Sequence, residues 1–139
     1  MPLTAMREES VSCLFGREPT EVRRAREATR KALFDWGLGE HSEFSELIVS
    51  ELVTNALNHG EGPITVRVSC DSTSLRIEVH DDGSGRPVRR PVTAKSESGR
   101  GLELVDGLLA LQGGRRTLHE DAAGAGKTVG AVIRLTGDR

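Results

Sequence analysis

The sequence predicts an α+β protein, a two-layer α/β sandwich in which a mixed, mostly antiparallel sheet carries its helices on one face. Several segments alternate apolar and polar residues, which indicates half-buried strands, and three others have apolar residues at helical spacing. Strands with one apolar face need helices on that side only. The 139 residues fit one domain. We place it at residues 10–136, between a flexible N-terminal tail (1–9) and a short C-terminal tail (137–139).

The first half of the chain begins with a strand, followed by two helices. Residues 11–15 alternate and predict the strand. The first helix starts near Pro19 and ends before Gly37. The second runs from Ser42, the expected N-cap, to Gly60, the expected terminating residue.

The second half predicts two strands, a long loop, a helix and two further strands. Residues 64–70 and 75–79 alternate on either side of a turn and form an antiparallel hairpin. Residues 86–99 show no sustained period and are long enough for a functional lid. A third helix begins near Arg100, a weak strand passes through Leu118, and residues 129–135 form the last strand.

Composition argues against several classes of function. The formal net charge is −2, from 19 basic and 21 acidic residues, and aromatic residues make up only 3% of the chain. A nucleic-acid partner is therefore not expected. No apolar run approaches the roughly 18 residues that a membrane span needs, so we expect a cytoplasmic protein without membrane contact.

Polar residues interrupt the apolar face of the second helix. That face is defined by Phe44, Leu47, Ile48 and Leu52, and Glu51, Asn55 and Asn58 fall within it. At about 100° per residue, Glu51 and Asn55 point in nearly the same direction. A buried carboxylate needs a partner. Two alternatives remain: an arginine pairs with Glu51 while the asparagines cap backbone, or a ligand supplies the partner.

Two further motifs favour a ligand. The inward alternation of the hairpin reaches Asp81, which is followed by Gly83 and Gly85, where backbone can approach a flat ligand closely. Residues 99–101 bring two glycines to the start of the third helix, where free N–H groups and the helix dipole favour phosphate. A Walker A loop at residues 124–128 is excluded, because Asp121 stands where that motif needs glycine and a strand follows.

These motifs resemble three ordered boxes of the GHKL (Bergerat-fold) ATPase superfamily. The N-box corresponds to residues 51–59, the G1 box to 81–87 and the G2 box to 99–105, while residues 126–128 resemble the closing box. The short chain is most similar to the anti-sigma-factor serine/threonine kinases of that superfamily. Members of this group bind a sigma factor and phosphorylate a STAS-domain antagonist.

The resemblance implies ATP and Mg²⁺ as cofactors and gives each residue a role. Asp81 accepts a hydrogen bond from the adenine amino group, Asn55 is the metal ligand and a nucleotide-binding residue, and Glu51 is the catalytic base. Residues 99–101 hold the phosphates. The nucleotide-binding residues other than Asn55 and Asp81 are Gly83, Gly85, Gly99, Arg100, Gly101, Leu102 and Thr128. We expect adenine and a hydrated cation, rather than a protein salt bridge, to neutralise the acidic groups in this cleft.

Three functions are compatible with these motifs. The leading one is an ATP-dependent protein serine kinase and anti-sigma factor. The second is a non-catalytic ATP-dependent binding module, since residues 96–98 lack the basic residue that kinase members often place before the G2 glycines. The third is the detached catalytic domain of a histidine kinase. The resemblance also implies a possible homodimer.

Overall fold

The structure is a computed structural model that describes residues 8–83 and 97–135, without the side chains of residues 97–100 and Ala123. Five strands and three α-helices occupy this part of the chain. In order they are β1 (Glu9–Phe15), α1 (Glu21–Asp35), α2 (Ser42–His59), β2 (Ile64–Cys70), β3 (Ser74–Asp81), α3 (Glu97–Leu111), β4 (Arg115–Glu120) and β5 (Lys127–Arg134).

The strands form one sheet in the order β1-β2-β3-β5-β4. All four pairings between described strands are antiparallel, so the expected mixed, mostly antiparallel sheet contains only antiparallel neighbours here. Alternate residues of β3 illustrate the layering: Leu75, Ile77 and Val79 are buried against the helices, whereas Arg76 is exposed on the other face. The predicted α+β two-layer sandwich is confirmed.

Helix α2 is the central helix, because it contacts α1, α3 and the sheet. Its buried arc is therefore wider than a single amphipathic face and includes Val49 and Val53, both fully buried. Two sequence predictions for this helix are wrong: Leu47 is 41% exposed, and Asn58 also faces solvent. The reason is that two helices and a sheet, rather than the sheet alone, determine which residues are covered.

Helix boundaries differ from the prediction in two places. The N-cap of α2 is His41, and the Ser42 hydroxyl instead donates to Glu46 Oε2 (2.7 Å). Helix α3 begins at Glu97, about one turn before Arg100. Within residues 8–83 and 97–135, no helix combines the length and apolar composition that a bilayer crossing requires.

Arg17 caps the C-terminal end of α2 from a distant part of the sequence. Its Nη2 donates to the carbonyl oxygens of Ala56 (2.9 Å), Leu57 (2.7 Å) and Gly60 (3.1 Å), and its Nη1 donates to that of Gly62 (2.9 Å). Ala56 and Leu57 lie in the last turn of α2, where the helix dipole favours a cation, and Gly60 and Gly62 follow the helix. The Ala56 carbonyl also accepts from the backbone N–H of Gly60 (2.8 Å). Arg17 therefore fixes the point where α2 turns into β2.

We predict that Arg17→Met destabilises the protein by roughly 1.5–3 kcal/mol, because charge-assisted hydrogen bonds to partly buried carbonyls are lost. The thermal midpoint should fall by about 5–10 °C. Arg23→Met is the control, since the Arg23 side chain is 77% exposed and, among the described residues, forms an ion pair only with Glu27, at 3.8 Å. Similar melting curves for the two variants would contradict the capping role.

An ion pair joins α1 to α2. Arg30 Nε donates to Glu46 Oε2 (3.1 Å) and its Nη2 donates to Oε1 (3.2 Å). These hydrogen bonds from Arg30, together with the one from Ser42, lower the pKa of the Glu46 carboxyl below its usual value, although partial burial opposes the shift. The folded state thus binds a proton at Glu46 less readily than the unfolded chain.

The Glu46→Gln variant should therefore have a lower free energy of unfolding than the wild type at neutral pH, and the difference should disappear in acid. A carboxyl with a lowered folded-state pKa stabilises the fold above its unfolded pKa, and this contribution disappears as pH falls through the folded value. Urea unfolding at pH 7 and near pH 3 measures the difference between wild type and variant. A difference that persisted unchanged in acid would argue against the ion pair as its source.

Candidate functional site

The Asp81 carboxylate lies where α2, β3 and β5 meet. Asp81 is the last residue of β3, and the register with β5 places Lys127 opposite it. Its Oδ1 accepts hydrogen bonds from the backbone N–H of Gly83 (2.7 Å) and of Glu61 (3.3 Å), and from Lys127 Nζ (3.1 Å). Both Asp81 and Lys127 are 2% exposed. The pair is a buried salt bridge inside the sandwich.

This salt bridge corrects the expectation that only a ligand would neutralise the acidic groups of the cleft. The protein itself compensates Asp81 through Lys127, which in the sequence belongs to the excluded Walker-like stretch 124–128 and to the closing-box resemblance at residues 126–128. A signal was present: Lys127 has the same inward parity as Val129 and Ala131. The compensation is partial, because Oδ2 of Asp81 has no hydrogen-bond partner in the described chain.

Two glycines leave room for the Asp81 carboxylate at this position. A Cβ at Gly60, which follows α2, would lie within 2.6 Å of both Asp81 carboxylate oxygens. One at Gly83 would lie 2.9 Å from Oδ1. Real Cβ atoms do not approach so closely, so both positions depend on the missing side chain. The end of α2 therefore packs directly on the end of β3.

Glu51 and Asn55 lie one turn apart on α2, on the side that meets α3. A Cβ at Gly101, in the first turns of α3, would overlap Glu51 Oε1, so the carboxylate lies against the backbone of that helix start. Asn55 is 3% exposed, and its amide makes no hydrogen bond within the described chain. Across the same residues no arginine or lysine pairs with Glu51. The alternative of an arginine that satisfies Glu51 is therefore not found there.

These groups form a row along α2. Gly60 follows Glu51 by nine positions, which corresponds to about 13 Å of helix. Asp81 lies at the Gly60 end, Asn55 lies between, and the start of α3 lies at the Glu51 end. An extended nucleoside triphosphate has a similar length, so a base at Asp81 and phosphates at the start of α3 are compatible with one ligand.

The other predicted site residues have mixed placements. Leu102 is buried in the core at 3% exposure. Gly99 and Arg100 belong to the first turn of α3, with the Arg100 side chain outside the described atoms, and Gly85 lies outside the described residues.

Thr128 is not brought to this group. It pairs with His80 in the β3–β5 register, and alternation turns it to the sheet face opposite Asp81 and Lys127. His80 on that outer face contacts Asp121 (Nε2 to Oδ2, 2.9 Å). In the described chain, no cluster of three or more His, Cys, Asp or Glu residues could hold a metal ion.

We predict that Gly60→Ala destabilises the protein, because the added methyl meets a carboxylate held by three hydrogen bonds; overpacking of this kind costs about 1–3 kcal/mol. Gly107→Ala, on exposed α3 surface with nothing within 4 Å of the added Cβ, should instead stabilise by up to roughly 1 kcal/mol. Denaturant unfolding of both variants measures the contrast. An unchanged free energy of unfolding for Gly60→Ala would show that the Asp81 side chain can move away from the added methyl.

Comparison with curated proteins finds a histidine kinase. The chain is 32% identical over 76 residues to the sensor histidine kinase VxrA of Vibrio cholerae, and the alignment covers 51% of this chain and 15% of VxrA. The chain thus corresponds to a small part of that relative's length.

Two solved structures have a similar fold. The RsbU and RsbW domains of Rv1364c from Mycobacterium tuberculosis align with a TM-score of 0.66 at 19% identity, over 91% of this chain and 32% of that one. The histidine kinase domain of the blue-light activated histidine kinase EL346 from Erythrobacter litoralis aligns with a TM-score of 0.55 at 23% identity, over 86% and 61%. At these identities the likeness shows the fold alone.

The family itself is shown by a direct match. The model of the histidine kinase-like ATPase domain matches residues 15–113, which include α2, β3 and α3 with the row of site residues between them. This chain belongs to the histidine kinase-like ATPase domain family.

Proposed function

We propose that this protein binds ATP with Mg²⁺ along α2 and transfers the γ-phosphoryl group to a serine of a protein partner. The observation that carries the proposal is the pair Glu51 and Asn55, which lie without a protein partner in the described chain beside the start of α3. Groups of this kind, buried or half-buried at a helix seam, are unfavourable unless a ligand satisfies them. The family supports ATP as that ligand.

Adenine is recognised by Asp81. A carboxylate accepts hydrogen bonds only, and Oδ2 is left available for the amino group of the base. Guanine would present a carbonyl oxygen at the same place and set two acceptors against each other, which disfavours it. The fixed position of the carboxylate, held by the N–H groups of Gly83 and Glu61, makes this recognition rigid.

At the other end of the row, residues of α2 and α3 act on the phosphates. Gly99, Arg100 and Gly101, in the first turns of α3, bind phosphate oxygens. Because the helix begins at Glu97, Gly99 offers a free N–H group, and the positive end of the helix dipole adds to the attraction. Asn55 fits a magnesium site, because its unpartnered amide offers an oxygen ligand and phosphate oxygens and waters can supply the others. Bound Mg²⁺ would neutralise phosphate charge. Glu51 accepts the proton of the attacking serine hydroxyl.

The motif resemblance to anti-sigma-factor serine kinases supports a sigma factor and a STAS-domain antagonist as partners. The similar fold of a structure that contains an RsbW domain is compatible with that assignment.

The second candidate function is a non-catalytic ATP-dependent binding module, favoured by Ser96, Glu97 and Ser98 in place of a basic residue before Gly99. Incubation with labelled ATP and a STAS-domain protein separates these: label on serine supports the kinase, and stoichiometric capture without label supports the module. Label on histidine would indicate histidine-kinase chemistry instead.

Glu51→Gln should retain ATP affinity within about threefold and reduce phosphoryl transfer by roughly 10²-fold or more, because the amide cannot accept the proton. Calorimetry and a transfer assay measure the two effects. Glu43→Gln is the matched control, an exposed carboxylate at the start of the same helix, and should alter neither. Undiminished transfer by Glu51→Gln would remove the assignment of Glu51 as base.

A further inference from the structure

We propose that Lys127 recognises the base together with Asp81, by donating a hydrogen bond to the adenine ring nitrogen N1. This inference rests on the proposed ATP site and adds a specificity-determining residue to it. The structure joins Lys127 and Asp81 so that a donor and an acceptor stand side by side at the end of the row along α2.

The Lys127 ammonium is buried and only partly hydrogen-bonded within the described chain. It is 2% exposed and carries three N–H donors, of which one is directed to Asp81 Oδ1. The described chain provides no acceptor for the other two. A buried ammonium with unsatisfied donors is unfavourable, since hydration has been removed and not replaced. A ligand acceptor at this point would remove part of that penalty.

The Asp81–Lys127 pair is complementary to the hydrogen-bonding edge of adenine. That edge carries an amino donor next to the N1 acceptor. The protein presents the inverse pair: Asp81 Oδ2 is an available acceptor, and the Lys127 ammonium, bonded to the other oxygen at 3.1 Å, is an available donor. A hydrogen bond from an ammonium to a ring nitrogen is charge-assisted and therefore stronger than a neutral one.

The Lys127 side chain is held in place by its surroundings. A surface lysine would sample many rotamers, but the stem of this one is buried on the inner face of β5, and the register with β3 sets its backbone opposite Asp81. Little side-chain entropy remains to be lost when a base binds. Thr128, the neighbour that the motif resemblance had assigned to the nucleotide, faces the other side of the sheet.

A purely structural role is the competing explanation, in which Lys127 only neutralises Asp81. The two differ in whether binding depends on the N1 atom. Calorimetry of the wild-type protein with Mg²⁺ and ATP, 1-deaza-ATP or 7-deaza-ATP tests this directly. The first analogue replaces N1 by C–H and keeps the amino group, whereas the second alters an atom on the other ring.

We expect 1-deaza-ATP to bind at least about tenfold more weakly than ATP, in line with the loss of a hydrogen bond to a charged donor. 7-Deaza-ATP should bind like ATP. Lys127→Met should weaken ATP binding by a similar factor and bind ATP and 1-deaza-ATP equally. Because this variant leaves Asp81 unpaired, the double variant Lys127→Met with Asp81→Asn removes both charges and should be equally insensitive to N1.

Equal affinities of the wild-type protein for ATP and 1-deaza-ATP would overturn the role of Lys127 while leaving the proposed ATP site intact. Retention of the preference for ATP over 1-deaza-ATP in either variant would also overturn it, because N1 would then be recognised by another group. No heat of binding for ATP itself would overturn the proposed function, and this inference with it.

Discussion

The antiparallel register between β3 and β5 is the constraint on which the site depends. It sets Asp81 opposite Lys127 across 46 residues of sequence and buries both. Removing one partner of such a pair generally costs about 3–5 kcal/mol, because the remaining charge is left unsolvated. A slip of β5 by one residue would turn Lys127 to the outer face of the sheet and leave Asp81 without its partner.

Helix α2 serves the core and the site with the same eighteen residues. Its apolar residues pack against α1, α3 and the sheet, and this packing fixes the direction in which Glu51 and Asn55 point. Arg17 fixes the other end, where Gly60 meets Asp81. The precision of the site therefore comes from the core rather than from a loop.

Local patterns were sufficient to predict much of the molecule. Alternation located β2, β3 and β5, helical spacing located all three helices, and the order of elements gave the two-layer sandwich. Glu51, Asn55 and Asp81 could also be predicted, because each is a polar residue at a position that its own element should bury. The sequence predicted the solvent exposure of α2 residues less well, because the exposure of Leu47 and Asn58 depends on which elements cover that helix.

The sequence by itself determined which elements form and set Asn55 and Asp81 at inward positions, because both follow from spacing along a single helix or strand. Only the tertiary structure decided the partners: Lys127 for Asp81, Arg17 for the end of α2, and the outer face of the sheet for Thr128. Each of these depends on strand register or on contacts between residues about 40 or more positions apart in the chain. Short-range periodicity fixes the face on which a residue lies but not which residue of another strand lies opposite it, so such pairings appear only when the whole sheet and its helices are assembled.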